Sequence, residues 1–80
     1  MNVRTENSIP PIGLGERIRE CIENSNRTVV ETAKILHVSR SRLYDMMNGV
    51  HAPNATILAR MCKTFNVAAD YLLFGGRWSS

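Results

Sequence analysis

Residues 39–48 read Ser-Arg-Ser-Arg-Leu-Tyr-Asp-Met-Met-Asn, a short stretch rich in hydrogen-bonding side chains. Wound as a helix, Leu43, Met46 and Met47 fall at i, i+3 and i+4 and share one apolar stripe. Arg40, Ser41, Tyr44, Asp45 and Asn48 are then left on the outer face. Such a face suits the edges of base pairs in a major groove, which are read by short or flexible donors and acceptors. Arg40 could reach the O6/N7 edge of a guanine in bidentate fashion. Ser41 is small enough for the helix to sit close. Tyr44 and Asn48 could bond bases or phosphates. Asp45 could accept from a cytosine amine, or orient Arg42 or Arg40 through an ion pair. Arg42 lies toward the flank, better placed for a phosphate. A charged outer face on a short helix is also what ordinary solvated surface looks like, so this stretch alone does not decide the matter.

Catalytic chemistry has less to stand on. The chain carries no paired carboxylates, no nucleophile–histidine arrangement and no phosphate-cradling loop. Cys21 and Cys62 lack metal-ligand spacing, and His37 has no partner at such a spacing. The expectation is a protein that is not an enzyme, with no catalytic residues, no metal and no cofactor. The cysteines are expected to be small buried side chains in a reducing, cytoplasmic compartment, since no secretory segment is visible. No apolar run is long enough to span a bilayer, so no membrane partner is expected.

The elements that must position residues 39–48 can be read locally. Thr28 and Glu31 form a T-x-x-E capping box, which opens a helix reaching Leu36. Ala33 and Leu36 are its inward positions, with Val29, Val30 and Thr32 on the flanks. Ala33 is small enough to let a neighbouring helix approach. His37 takes the turn, where a left-handed backbone is expected. Ser39 caps the next helix, and Val38 with Leu43 suits a hydrophobic staple across that cap. Asn48-Gly49 is a helix stop. Two short helices joined by a tight turn therefore occupy residues 28–49.

The flanking segments read as support. Leu14, Ile18, Cys21 and Ile22 make one apolar stripe in a first helix ending near Asn24, where Asn24-Ser25-Asn26 turns the chain. Residues 50–53 are a loop. Asn54 caps a fourth helix with Leu58, Met61, Cys62 and Phe65 as its stripe, running to Phe65. A short apolar fifth helix over residues 69–74 stops at Gly75-Gly76. Residues 1–12 contain Pro10-Pro11 and read as a flexible N-terminal arm, with Arg4 as a candidate contact; residues 76–80 read as a flexible tail. No strand-like alternation occurs. The expected fold is all-α: a compact five-helix bundle over residues 13–75 containing a helix-turn-helix motif.

Charge is consistent with this reading. The 80-residue chain has 10 Lys and Arg against 7 Asp and Glu, a formal net charge of +3. That balance permits a nucleic-acid partner without requiring one. Residues 46–69 contain no acidic side chain, and Lys34, Arg40, Arg42, Arg60 and Lys63 outnumber Glu31 and Asp45 across the centre. The glutamates of the first helix roughly cancel Arg17 and Arg19 instead.

Residues 15–75 resemble the Cro/lambda-repressor-like helix-turn-helix family, also called the XRE family. The resemblance rests on Ala33, the turn Leu36-His37-Val38-Ser39, the run Ser39-Arg40-Ser41-Arg42-Leu43, the stop Asn48-Gly49 and Pro53. The ending Phe65-Asn66-Val67 with Asp70-Tyr71-Leu72-Leu73-Phe74-Gly75 belongs to it as well. The family's pattern implies a lambda-repressor-like DNA-binding domain whose second motif helix enters the major groove. It implies base contacts by Ser39, Arg40, Ser41 and Asp45, with Tyr44 beside them. It implies phosphate contacts at Thr28 and Val29, at Arg42, and at Asn48 and the following loop with His51. The sequence departs from the common pattern at Val29, where Gln is frequent, at His37, where Gly is frequent, and at Met47, where Glu is frequent.

The resulting expectation is a transcriptional regulator of prophage or bacterial repressor type. Its partner would be double-stranded DNA, bound as a homodimer on a partly palindromic operator, with Leu72, Phe74 and Trp78 as candidate interface. A second reading is an antitoxin. The run Thr-Val-Val-Glu-Thr-Ala-Lys and the ending Met-Asn-Gly look like HigA-type antitoxins, which would add a toxin partner and make DNA binding autoregulatory.

Overall fold

A computed structural model describes residues 11–75 of the chain. Expectations that fall on Arg4 and the arm, or on Trp78 and the tail, lie outside the described residues. Within them the chain forms five helices: α1 (Leu14–Asn24), α2 (Val29–Leu36), α3 (Arg40–Met47), α4 (Ala55–Phe65) and α5 (Ala69–Phe74). No strand occurs among the described residues.

The ends of these helices are set by local chemistry. Thr28 Oγ1 accepts from the Glu31 amide (3.0 Å) while Glu31 Oε1 accepts from the Thr28 amide (2.9 Å), the reciprocal capping box that opens α2. Ser39 Oγ accepts from the Arg42 amide (3.0 Å) and opens α3. Asn54 Oδ1 accepts from the Ile57 amide (2.8 Å) and opens α4. At the other ends, His37, Asn66 and Gly75 turn left-handed, with φ of 61°, 58° and 89°. Gly49 does the same one residue past the Asn48 cap of α3, at φ 80°.

The helices bury one contiguous core. Leu14, Ile18 and Ile22 of α1 meet Ala33 and Leu36 of α2, Leu43, Met46 and Met47 of α3, Met61 of α4 and Leu72 of α5. α3 packs against both α1 and α2; α4 packs against α2 and α5; α5 returns to α1. Helix α3 is therefore held along its inner side by the two helices that precede it. Gly15 is where α1 comes closest. A β-carbon there would lie 2.9 Å from the Met46 carbonyl oxygen and press harder still on that of Met47. Every buried side-chain nitrogen and oxygen among the described residues has a hydrogen-bond partner.

Three expectations are corrected. Thr32 is not a flank position but is fully buried (0% exposed), while Val30 is 42% exposed. Thr32 can be buried because its hydroxyl donates to the Thr28 carbonyl one turn earlier (2.9 Å), so no polar group is stranded. In α4 the deepest residues are Ile57 and Met61, with Leu58, Cys62 and Phe65 only half-buried. The buried face is rotated from the expected stripe toward Ile57. Leu72 is 0% exposed and closes the core between α1 and α4, so it has no surface to give to a dimer interface. The expectation for the cysteines divides: Cys21 is buried, Cys62 is half-buried, and both are free thiols.

Candidate nucleic-acid interface

The turn between α2 and α3 sets where α3 begins, and its geometry follows from the sequence. With His37 left-handed, the Val38 amide donates back to the Ala33 carbonyl (3.0 Å) and the His37 amide to the Lys34 carbonyl (3.2 Å). These are the paired bonds of a Schellman stop. Val38 is half-buried against the core, Ser39 caps α3, and the chain re-enters helix at Arg40.

α3 then divides as its periodicity requires. Leu43, Met46 and Met47 are buried; Arg40, Ser41, Arg42, Tyr44 and Asn48 are exposed, and Asp45 is half-buried. Arg40, Ser41, Arg42 and Tyr44 make no side-chain hydrogen bond or ion pair among the described residues, so their donors and acceptors remain open to solvent. Ser39 is more committed: its oxygen serves the cap, leaving the hydroxyl proton to give.

Asp45 pairs with neither Arg40 nor Arg42, the second of the two uses the sequence left open for it. Its carboxylate lies 3.9 Å from His51 Nε2, and its carbonyl accepts from the Val50 amide (2.8 Å) and the His51 amide (3.4 Å). Asp45 thus folds the loop after α3 back along the helix and brings His51 beside it. Asn48 is held from an unexpected direction. Arg19 of α1 donates from Nη2 to Asn48 Oδ1 (3.1 Å), which leaves the Asn48 amide hydrogens to face outward.

At the start of α2, the Thr28 amide is used by Glu31 and the Glu31 amide by Thr28. The unspent donors of that first turn are the backbone amides of Val29 and Val30. An anion would therefore be met by backbone N–H groups with no side-chain donor at position 29, as the Val29 departure implies.

Sequence reasoning missed two basic residues of this region. Arg19 was assigned to a charge-balanced helix surface, and Arg60 only to a general positive excess. Arg60 Nη1 donates to the Leu36 carbonyl at the end of α2 (3.2 Å), 24 residues away in the chain. No local pattern announces either contact, because each depends on how separate helices pack. Among the described residues no group of three or more His, Cys, Asp or Glu could hold a metal ion. No helix among them is long and apolar enough to cross a membrane.

A capped helix, a left-handed turn and a second helix with an open polar face, braced by three more helices, define a helix-turn-helix domain. A helix-turn-helix family model matches residues 18–72. The chain belongs to the Cro/lambda-repressor-like (XRE) helix-turn-helix family, and its fold is that of helix-turn-helix DNA-binding transcriptional regulators. Among solved structures, it is similar to the P22 c2 repressor in complex with a synthetic operator, with 27% identity and a TM-score of 0.74. That match covers 78% of this chain and 94% of the repressor chain. The SOS-response transcriptional repressor LexA from Eubacterium rectale shares the fold at 22% identity and a TM-score of 0.74, over 81% of this chain and 69% of its own. No curated protein matches the chain.

Proposed function

We propose that the protein is a sequence-specific regulator, a repressor of prophage or bacterial type that binds a partly palindromic operator in double-stranded DNA as a dimer. The observation that carries this reading is the outer face of α3, where Arg40, Ser41 and Tyr44 stand exposed with no internal partner. Such a face alone is ordinary for a surface helix; its place on the second helix of a helix-turn-helix motif is what turns it toward DNA. The similar P22 c2 repressor holds a synthetic operator, which supports the same use here.

In this reading α3 lies in the major groove. Arg40 takes a guanine edge, with Ser39, Ser41, Tyr44 and Asp45 on neighbouring bases. Arg42, Asn48, His51 and the amides at the start of α2 meet phosphates on either side, positioning the helix without reading sequence. Asn48 suits that role because Arg19 occupies its carbonyl oxygen and turns its NH2 group outward. Two-fold symmetry would set the α3 helices of two subunits about 34 Å apart on one face of the duplex. With Leu72 buried, Phe74, which is 55% exposed, is the described residue left for the subunit contact.

Selection from a random duplex library, followed by titration of the selected site across salt concentrations, tests the proposal. If a dimer neutralises roughly six to eight phosphates, log affinity should fall against log salt with a slope near −5 to −7. A flat salt response, or a library that returns no preferred sequence, would sink it.

A further inference from the structure

We infer that Arg60, which lies outside the helix-turn-helix motif, is a positioning residue that steadies the turn before α3 and the first turn of that helix, and thereby governs sequence discrimination. The inference rests on the DNA-binding reading above and goes beyond it by assigning specificity to a residue that touches no base.

The argument begins with the turn. Helix α3 is held along its inner stripe by α1 and α2, but its first turn is entered through the backbone of His37, Val38 and Ser39. In many sequences a glycine sits at the left-handed position, where it is unstrained. Here His37 holds φ 61° and ψ 42°, a conformation that a side chain with a β-carbon disfavours. Any further bond to the turn therefore offsets part of that strain.

The two Schellman bonds engage the carbonyls of Ala33 and Lys34. The Leu36 carbonyl, the last of α2 and the one directly joined to His37, is engaged by Arg60 Nη1 at 3.2 Å. A guanidinium at that position also meets the negative end of the α2 dipole. Arg60 is half-buried and comes from α4, which packs against α2. It lines a cleft with His37, Val38, Ser39, Arg42 and Asn54, in which no acidic side chain appears. A carboxylate is thus not competing for the guanidinium there, and the carbonyl is its partner.

The consequence is a tie from α4 to the residue that precedes the turn. Losing it would free the His37 peptide and loosen the first turn of α3, where Ser39, Arg40 and Ser41 sit, while the buried stripe of Leu43, Met46 and Met47 keeps the rest of the helix in place. Base contacts demand placement within about 0.5 Å and 10–20°, whereas phosphate contacts by long side chains tolerate more. Arg60 should therefore matter more for the selected sequence than for DNA in general.

The test compares wild type with Arg60→Met, which keeps the apolar stem and removes the donors, and Arg60→Lys, which restores a donor and the charge. Affinity is measured on the selected duplex and on a random duplex of equal length, with thermal melting to confirm that each variant is folded. Arg60→Met should lower the ratio of selected to random affinity by roughly tenfold, the size of a misplaced base contact, and Arg60→Lys should recover most of it. In the free protein, amide exchange at His37 and Val38 should speed up in Arg60→Met while Ser25 in the α1–α2 turn is unchanged. Equal loss on both duplexes, with the salt slope shallower by about one, would make Arg60 a phosphate contact and overturn the inference. An unchanged ratio would overturn it as well. If wild type itself selects no sequence, the functional reading fails first and this inference with it.

Discussion

Arg17 of α1 donates from Nε to the carbonyl of Leu72 at 2.8 Å, across 55 residues of sequence. Its Nη2 donates to the carbonyls of Leu73 (3.0 Å) and Ile12 (3.0 Å). One guanidinium thus fastens the last turn of α5 and the entry to α1 together. Charge-assisted bonds contribute about 1.5–3 kcal/mol each when desolvated, and Arg17 is only half-buried, so they will not add fully. Arg17→Met should destabilise the protein by about 2 kcal/mol in urea titration. A loss below a few tenths of a kcal/mol would mean that solvent replaces all three bonds.

Gly15 imposes a packing limit on the placement of α3. Because a β-carbon would meet the backbone of Met46 and Met47, which cannot rotate aside, α1 and α3 would have to separate. Gly15→Ala should therefore cost about 1–3 kcal/mol despite the better helix propensity of alanine. Should the variant instead be more stable, the close approach of the two helices is wrong.

His37→Gly should move stability the other way. The residue is exposed and left-handed, so its side chain contributes strain at the turn. Relief of about 1–2 kcal/mol is partly offset by the greater freedom of glycine in the unfolded chain, leaving a gain of about 0.5–1 kcal/mol. A melting temperature raised by a few degrees would agree. A fall would mean that the imidazole makes a stabilising contact.

Alkaline pH offers a further check on the core. The Cys21 thiol is pushed above its ordinary value, first by burial and then by Glu20 and Cys62; burial does the same at Cys62. The unfolded chain then loses these protons at a lower pH than the folded one does. Stability should be level below the ordinary thiol range of about 8.5 and decline as pH rises above it. In the double variant Cys21→Ala, Cys62→Ala that alkaline decline should shrink, as followed by denaturant midpoints against pH. An identical decline in both proteins would exclude the thiols as its source.

The parts legible in the sequence were those written within one helical turn. The Thr28–Glu31 box, the Ser39 and Asn54 caps and the left-handed His37 each depend on residues no more than four apart. So does the buried stripe of α3, and the structure reproduces them all. What escaped depends on where separate helices meet. Thr32 reads as polar until its hydroxyl finds the Thr28 carbonyl, and Ile57 enters the core where α4 packs against α2 and α5. Arg17, Arg19 and Arg60 read as surface charge, yet they donate across 55 or 56, 29 and 24 residues to groups that only the fold brings near. The same limit applies to the interface: the donors that face outward can be named, but the orientation of the Asn48 amide depends on Arg19.

Arg40 is the residue on which the base-reading proposal can be tested most directly. It begins α3, it is exposed, and none of its donors is engaged by the described residues. If it reads a guanine edge, Arg40→Ala should weaken the selected duplex by about 1–3 kcal/mol and relax preference at a single base position. Binding to random duplex should change little, and the salt slope should stay within about one of wild type. Repeating the selection with the variant shows the difference directly, as one position that has lost its information while its neighbours keep theirs. A uniform loss across all sequences would instead place Arg40 on a phosphate, and the base-reading assignment would pass to Ser41, Tyr44 and Asp45.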